Sequence, residues 1–243
     1  MGFPCRNGFG RERITLTSFS HLSAAAAAAE IGSISGSNMK LYGTPGSPFA
    51  RKVRILLEEK RIPYEYIVQR GRDPGSRVPE LNPLAKVPTL ATDEGKGLYD
   101  SAVIVEYLDA HGEGPRLIPE PFAERIEVKR WEALGDGITE AVVAINHELL
   151  EPKEKQRSKE WYDRQQLKID RGLAVMERDV GANEFCCSGR FTLADIATGY
   201  ALGYLDFALP QQNWRQAHPN LARLAERLFS RKSFRDTPHA KRA

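Results

Sequence analysis

Apolar residues change their spacing within the stretch 39–68, and the changes outline a structure. Met39-Lys40-Leu41-Tyr42 reads as a short strand and Gly43-Thr44-Pro45-Gly46 as a turn, after which Phe49, Val53, Leu56 and Leu57 fall at spacings of four, three and one. That spacing predicts an amphipathic helix opening at Ser47-Pro48, with Arg51, Lys52, Arg54, Glu58 and Glu59 on its wet side. Pro63 ends the helix, and Tyr64-Glu65-Tyr66-Ile67-Val68 is aromatic and β-branched enough to be a second strand, parallel to the first through a right-handed crossover. Arg70 to Arg77 is loop by its Gly and Pro content.

Leu81 to Leu90 leads into a third strand, Asp93-Glu94-Gly95-Lys96-Gly97 is a hairpin turn, and Leu98-Tyr99 is a fourth strand, antiparallel. Asp100-Ser101 caps a helix over Ala102–Ala110, and Gly112 stands where a helix-ending glycine belongs. Because Ala102, Val103, Ile104, Val105, Tyr107 and Leu108 are all apolar, this helix is expected to be buried nearly all round.

After a Gly- and Pro-rich linker at 114–121 the period changes for good. Trp131, Leu134, Ile138, Val142, Ile145 and Leu149 define a long helix, Ile169, Leu173, Met176 and Val180 a second, and Pro219, Leu221, Leu224 and Leu228 a last one. Between them, Thr192-x-x-Asp195 has the form of a capping box opening a helix with Leu193, Ile196, Tyr200, Tyr204 and Phe207. The expected organisation is an α/β domain over 39–113 and an all-α domain over 122–236, with a tail at 237–243. Residues 1–38, with Arg6, Arg11, Arg13, an alanine run and a Gly/Ser stretch, are expected to be an extension with little fold of its own. Glu12 and Glu30 argue against a transit peptide there, and Met39 would be a natural start.

A chain of 243 residues, 41% hydrophobic and 28% charged, has material for two compact domains. Its 35 basic and 32 acidic residues leave a net charge of +3, too even to point to nucleic acid or a membrane surface as partner. No apolar run reaches the roughly 18 residues of a membrane span. Cys5, Cys186 and Cys187 form no disulfide framework and no Cys-x-x-Cys pair, which fits a reducing, cytoplasmic setting. The five histidines show no ligand spacing, so no metal is expected, and no phosphate-cradling glycine loop is present.

Two places carry chemistry. Ser47 is a preferred N-cap and Pro48 suits the first helical position, so a hydroxyl stands where free N–H groups and the positive end of a helix dipole favour an anion. Thr44 is a second hydroxyl nearby, whereas Tyr42 comes too early in the strand. In Lys86-Val87-Pro88, the proline forces Val87 into an extended conformation, able to offer its N–H and C=O to an extended peptide; the plain alternative is a rigid turn.

The order β-α-β-α-β-β-α, with Gly43-Thr44-Pro45-Gly46-Ser47-Pro48, Asn82-Pro83-Leu84-Ala85-Lys86-Val87-Pro88 and Asp100-Ser101 in sequence, resembles the thioredoxin-like domain of cytosolic glutathione transferases of the serine, bacterial-like kind. The all-helical half with its capping box extends the resemblance to about residues 39–234. The resemblance implies that Ser47 activates the glutathione thiol. It also implies that Val87, before a cis Pro88, pairs with the cysteinyl part, that Asp100 and Ser101 hold the γ-glutamyl end, and that Lys86 meets the other carboxylate. It further implies a homodimer that uses glutathione as co-substrate with no other cofactor and conjugates it to an electrophilic, hydrophobic acceptor. A non-catalytic binding or interaction protein of the same fold, and a glutathione-dependent disulfide reductase, are the alternatives.

Overall fold

The computed structural model describes residues 38–240, and the expected extension, apart from Asn38, lies outside them. The first domain consists of β1 (Lys40–Gly43), α1 (Pro48–Glu59), β2 (Glu65–Val68), a one-turn α2 (Val78–Leu81), β3 (Thr89–Ala91), β4 (Gly97–Leu98) and α3 (Ser101–His111). Helix α2 is the second helix of the expected β-α-β-α-β-β-α order, and as a single turn it is too short for any periodicity to place it between the loop at 70–77 and the segment 81–90. The sheet order is β2-β1-β3-β4, with β1 parallel to β2 and antiparallel to β3, and β3 antiparallel to β4.

Strand alternation sorts the sheet's residues onto two faces. Leu41 and Leu90, cross-strand partners, belong to the main core with Val53, Leu56 and Leu57 of α1 and Ile104, Val105 and Leu108 of α3. Tyr42 and Ala91 face the other way, toward Val78 of α2, with Ile67, Leu81 and Val87 packed around them.

The second domain is helical throughout its described length: α4 (Phe122–Leu149), a 3-10 turn at Lys153–Lys155, α5 (Lys159–Val180), α6 (Leu193–Ala208), α7 (Trp214–Ala217), α8 (Pro219–Ser230) and α9 (Lys232–Arg235). Helix α6 is its axis, buried on nearly every side against α4 and α8. The capping box is complete: the Thr192 side chain accepts from Ala194 N–H, and Thr192 N–H donates to Asp195 Oδ2 at 2.9 Å. Asp195 Oδ1 also accepts from Cys186 N–H at 2.9 Å, so one buried carboxylate starts the helix and fixes the loop before it. Desolvation raises its pKa in spite of these bonds.

Helix α1 joins the domains, packing on α3 from one side and on α6 and α9 from the other. This overturns two expectations. Arg51 and Lys52 are not on a wet face: they are 7% and 0% exposed, because the helical domain covers that side of α1 and supplies polar partners for both. Lys52 Nζ lies 3.1 Å from Glu132 Oε1 and 2.9 Å from both carboxylate oxygens of Asp136, and Tyr200 O–H donates to Asp136. Conversely α3 is buried on one side only, and Val103 is 50% exposed because the described chain places nothing over that side.

The crossover between domains is pinned by Asp109, fully buried near the end of α3. Its carboxylate accepts from Leu117 N–H at 2.7 Å, Ile118 N–H at 3.1 Å and Arg116 Nε at 2.9 Å, with Lys60 Nζ 3.5 Å away. Gly112 does cap α3, but with an ordinary φ of −84° and not the left-handed one. It is required for space, since a Cβ there would stand 2.6 Å from Cβ of Lys60.

Candidate functional site at the ends of three strands

The strand register decides where the chemistry gathers. Tyr42 pairs with Thr89, so the C-terminal end of β1 lies beside the N-terminal end of β3. Leu90 pairs with Leu98, so the C-terminal end of β4 lies at that same edge. The turn carrying Ser47, the segment Lys86-Val87-Pro88 and the pair Asp100-Ser101 therefore emerge side by side, in the lateral order β1, β3, β4. Two strand spacings are about 10 Å, roughly the span of three extended residues.

Ser47 caps α1 in an extended conformation (φ −78°, ψ 118°), and its Oγ accepts from Ala50 N–H at 3.2 Å. That bond uses an oxygen lone pair, so the hydroxyl keeps its proton to donate. Ser47 N–H closes the turn on the Thr44 carbonyl at 2.9 Å, and both residues are half-buried. Tyr42 is 4% exposed and packs with Val78 and Ala91.

Val87 is half-buried, Pro88 is buried and the peptide between them is cis. Among the described residues neither the N–H nor the C=O of Val87 is engaged in a backbone hydrogen bond. Lys86 is exposed. The loop is set by Asn82, which sequence reasoning passed over: 1% exposed, it donates from Nδ2 to the Lys86 carbonyl at 3.0 Å and to Thr89 Oγ1 at 3.2 Å. Its Oδ1 accepts from Leu84 N–H at 3.0 Å, and Thr89 Oγ1 donates to the same Lys86 carbonyl at 2.8 Å. The Asn82-Pro83 pair was a legible turn signal, but not one that marks a buried amide.

Asp100 caps α3, its Oδ1 accepting from Ala102 N–H at 3.0 Å, and it is exposed, with one carboxylate oxygen left for other partners. Ser101, 5% exposed, begins the helix. Two helix N-termini thus open on one edge of the sheet, an arrangement that favours negative charge between them, with a carboxylate at the far end to take a cation.

The chain's C-terminal segment also reaches this edge. Ala240 N–H donates to the Pro45 carbonyl at 3.2 Å, and Arg51 donates from Nε to the Thr237 carbonyl at 2.7 Å and from Nη2 to the Phe234 carbonyl at 3.3 Å. Burial first, and the neighbouring Arg54 charge second, bring the Arg51 pKa down to about 10. Nothing in the pattern of α1 announced these contacts. Among the described residues no three His, Cys, Asp or Glu side chains come together as a metal site, and no helix is long and apolar enough to cross a membrane.

Residues 41–116 match the family model described as the N-terminal domain of glutathione S-transferase, and residues 159–227 match its C-terminal domain. An uncharacterised glutathione-transferase-like protein of Escherichia coli K12, YibF, is 39% identical over 82% of this chain and 98% of its own length. A glutathione S-transferase from Methylobacillus flagellatus, solved with glutathione bound, is 42% identical, with a TM-score of 0.80 over 84% of this chain and all of that one. A glutathione transferase family member from Pseudomonas fluorescens Pf-5, solved with S-(propanoic acid)-glutathione, is 37% identical, with a TM-score of 0.74 over 84% of this chain and all of its own. Matched in both halves by family models and along most of its length by relatives, the chain belongs to the glutathione S-transferase family.

Proposed function

We propose that this protein binds glutathione across the ends of β1, β3 and β4 and conjugates its sulfur to small hydrophobic electrophiles, with Ser47 stabilising the thiolate. The observation that carries the reading is the side-by-side emergence of the Ser47 cap, the unengaged backbone of Val87 and the Asp100-Ser101 cap at one sheet edge. In this pose the cysteinyl backbone pairs with Val87 and the γ-glutamyl ammonium meets Asp100. Ser101 helps hold that end, Pro88 keeps the valine extended and Lys86 takes the remaining carboxylate. Binding of glutathione and of a glutathione thioether by the two solved relatives supports the choice of ligand.

The chemistry asked of the protein is small. A thiol with a pKa near 8.5 is about 3% ionised at pH 7, and one near 6.5 roughly 75%. The difference is worth about 2.7 kcal/mol. One hydroxyl donating to sulfur, together with a helix N-terminus, is of that size. The thiolate then attacks the electrophilic carbon: a carbon–sulfur bond forms, and the leaving group departs with its electron pair, or the adduct takes up a proton. Ser47 holds the sulfur's charge until that bond forms and is neither base nor nucleophile. Glutathione is a co-substrate, and no further cofactor enters the reaction.

We further infer a cytoplasmic homodimer. Val103 on α3 and Phe122 and Ile126 on α4 are 50%, 78% and 51% exposed, and the Arg125–Glu106 ion pair links the two helices, so a second copy has apolar side chains on both to cover. Retention on immobilised glutathione together with turnover of a chlorinated nitroaromatic acceptor tests the whole reading. Retention without turnover would replace the enzyme by a binding protein.

A further inference from the structure

The segment after α9 ties the end of the helical domain to the turn that carries Ser47. Thr237, 1% exposed, donates its hydroxyl to the Ser233 carbonyl at 2.7 Å, and its own carbonyl, with that of Phe234, receives the Arg51 guanidinium. Arg51 stands one helical turn after Ser47, and its backbone N–H donates to the Ser47 carbonyl at 3.1 Å. Among the described residues no carboxylate pairs with it, so main-chain carbonyls of the C-terminal segment answer its charge. A Cβ on Gly203 of α6 would stand 2.4 Å from Arg51 Nη1, so any other residue there would displace the guanidinium from this position.

Further along, the His239 ring lies against those of Tyr204 and Phe207, with centroids 5.2 and 5.3 Å away, and neither ring nitrogen has a hydrogen-bond partner among the described residues. Next to it Ala240 N–H reaches the Pro45 carbonyl, and a Cβ on Gly46 would come within 3.3 Å of the Ala240 carbonyl. The turn 44–47 has one internal backbone bond, Ser47 N–H to Thr44, and its end is held by α1 through Ala50 N–H and Arg51 N–H, so this segment is the tether that reaches the turn from outside β1 and α1.

We propose that residues 237–240 are a strap that sets where Ser47 stands, with Arg51 and His239 as its positioning residues. The acidity of the bound thiol then depends on chain 186 residues away from the helix that presents the hydroxyl. The physical reason is tolerance: a group stabilising charge on sulfur must be held to about 0.5 Å, and residues 44–46, which lead into Ser47, have the C-terminal segment as their support from beyond β1 and α1. The glutathione backbone is gripped by other elements, at Val87 and Asp100, so the strap acts on the sulfur and not on affinity. The proposal rests on the reading of Ser47 given above.

Two altered chains test it: one ending at Asp236, and the full chain with Ala240→Pro, which deletes the N–H donated to Pro45 and leaves Arg51 and Thr237 as they are. In glutathione-free protein, hydrogen exchange over residues 44–50 is expected to quicken about ten-fold in the shortened chain and several-fold in Ala240→Pro. In the glutathione complex, thiolate absorbance should titrate about one pH unit higher in the shortened chain, with kcat down about ten-fold and glutathione KM within two-fold. Unchanged exchange in both altered chains overturns the strap. Faster exchange with thiol ionisation and kcat at wild-type values overturns its role in positioning. Should exchange quicken while even the wild type fails to ionise bound glutathione, the strap stands and the reading of Ser47 falls.

Discussion

Lys52 of α1 ends 3.1 Å from the Glu132 carboxylate of α4, both side chains being almost wholly buried where the two domains meet. Asp136 and Tyr200 complete the cluster, and Lys129 pairs with Glu132 from the more exposed side. Removing the central cation leaves the buried Glu132 and the partly buried Asp136 carboxylates with too little positive charge, the costly way to break an ion pair. Lys52→Ala should therefore lower unfolding stability by about 3 kcal/mol, seen as a lower denaturant midpoint at unchanged slope. A loss under about 1 kcal/mol would mean that solvent already screens the cluster.

Ser47→Ala should lower kcat about ten-fold, on the order of 1.4 kcal/mol in the transition state, with glutathione affinity little changed. Loss of the N-cap adds about 1 kcal/mol of destabilisation. Ser47→Thr keeps both cap and hydroxyl and so separates the two effects. A wild-type rate for Ser47→Ala at pH 7 would transfer the role to Thr44 or to the backbone N–H groups.

Asp100 also combines a cap with a charge, and asparagine divides them because it caps as well as aspartate does. Asp100→Asn is expected to retain stability and weaken glutathione binding about ten-fold, or 1.4 kcal/mol. Equal dissociation constants for wild type and variant, by calorimetry, would remove Asp100 from the binding site.

Asn82→Ala removes three hydrogen bonds of a buried amide and should cost about 2 kcal/mol of stability. Because those bonds hold the carbonyl just before Val87, glutathione affinity should fall with it. Wild-type affinity in a folded variant would show that the loop holds its shape without the amide.

Burial in the first place, and the Arg51 and Arg54 charges of α1 after it, lower the His239 pKa to about 3, while Tyr204 and Phe207 of α6 offer it neutral rings. A released strap would titrate this imidazole near 6.5, so between those values the released state binds the extra proton. Docking of the strap is therefore complete above about pH 6.5 and is lost progressively as the pH falls toward 3. Exchange at residues 237–240, corrected for its intrinsic pH dependence, should be faster at pH 5 than at 7.5, and the difference should vanish in His239→Phe. Equal protection at both pH values in the wild type would contradict the assignment.

What could be read from residue order was whatever depended on near neighbours. The Ser47 cap, the Thr192–Asp195 box, the Asp100 cap and the pairings of successive strands, β1 with β2 and β3 with β4, came from neighbouring segments, and the structure has each of them, whereas the long-range pairing of β1 with β3 was not read. Arg51 and Lys52 were misread because their partners lie far along the chain, at Thr237 and Glu132, and a charged residue on the polar side of a helix looks solvated from the sequence alone. Val103 failed in the opposite sense: its hydrophobicity is real, but its cover is not supplied by the described chain. Asn82 was passed over because its role depends on the carbonyl of Lys86, to which only the folded loop brings it.

The bonds from Asp109 to the amides of Leu117 and Ile118 bear on how substrates come and go. A connection between lobes bends only if its main-chain groups can rotate, and here two successive amides are clamped by one desolvated carboxylate, with Lys60 and Arg116 crowding it. Asp109 thus stiffens the connection between the lobes. In the proposed reaction, therefore, an acceptor enters and a thioether leaves by movement of side chains at the sheet edge that carries Ser47, with the connection and the C-terminal strap in place.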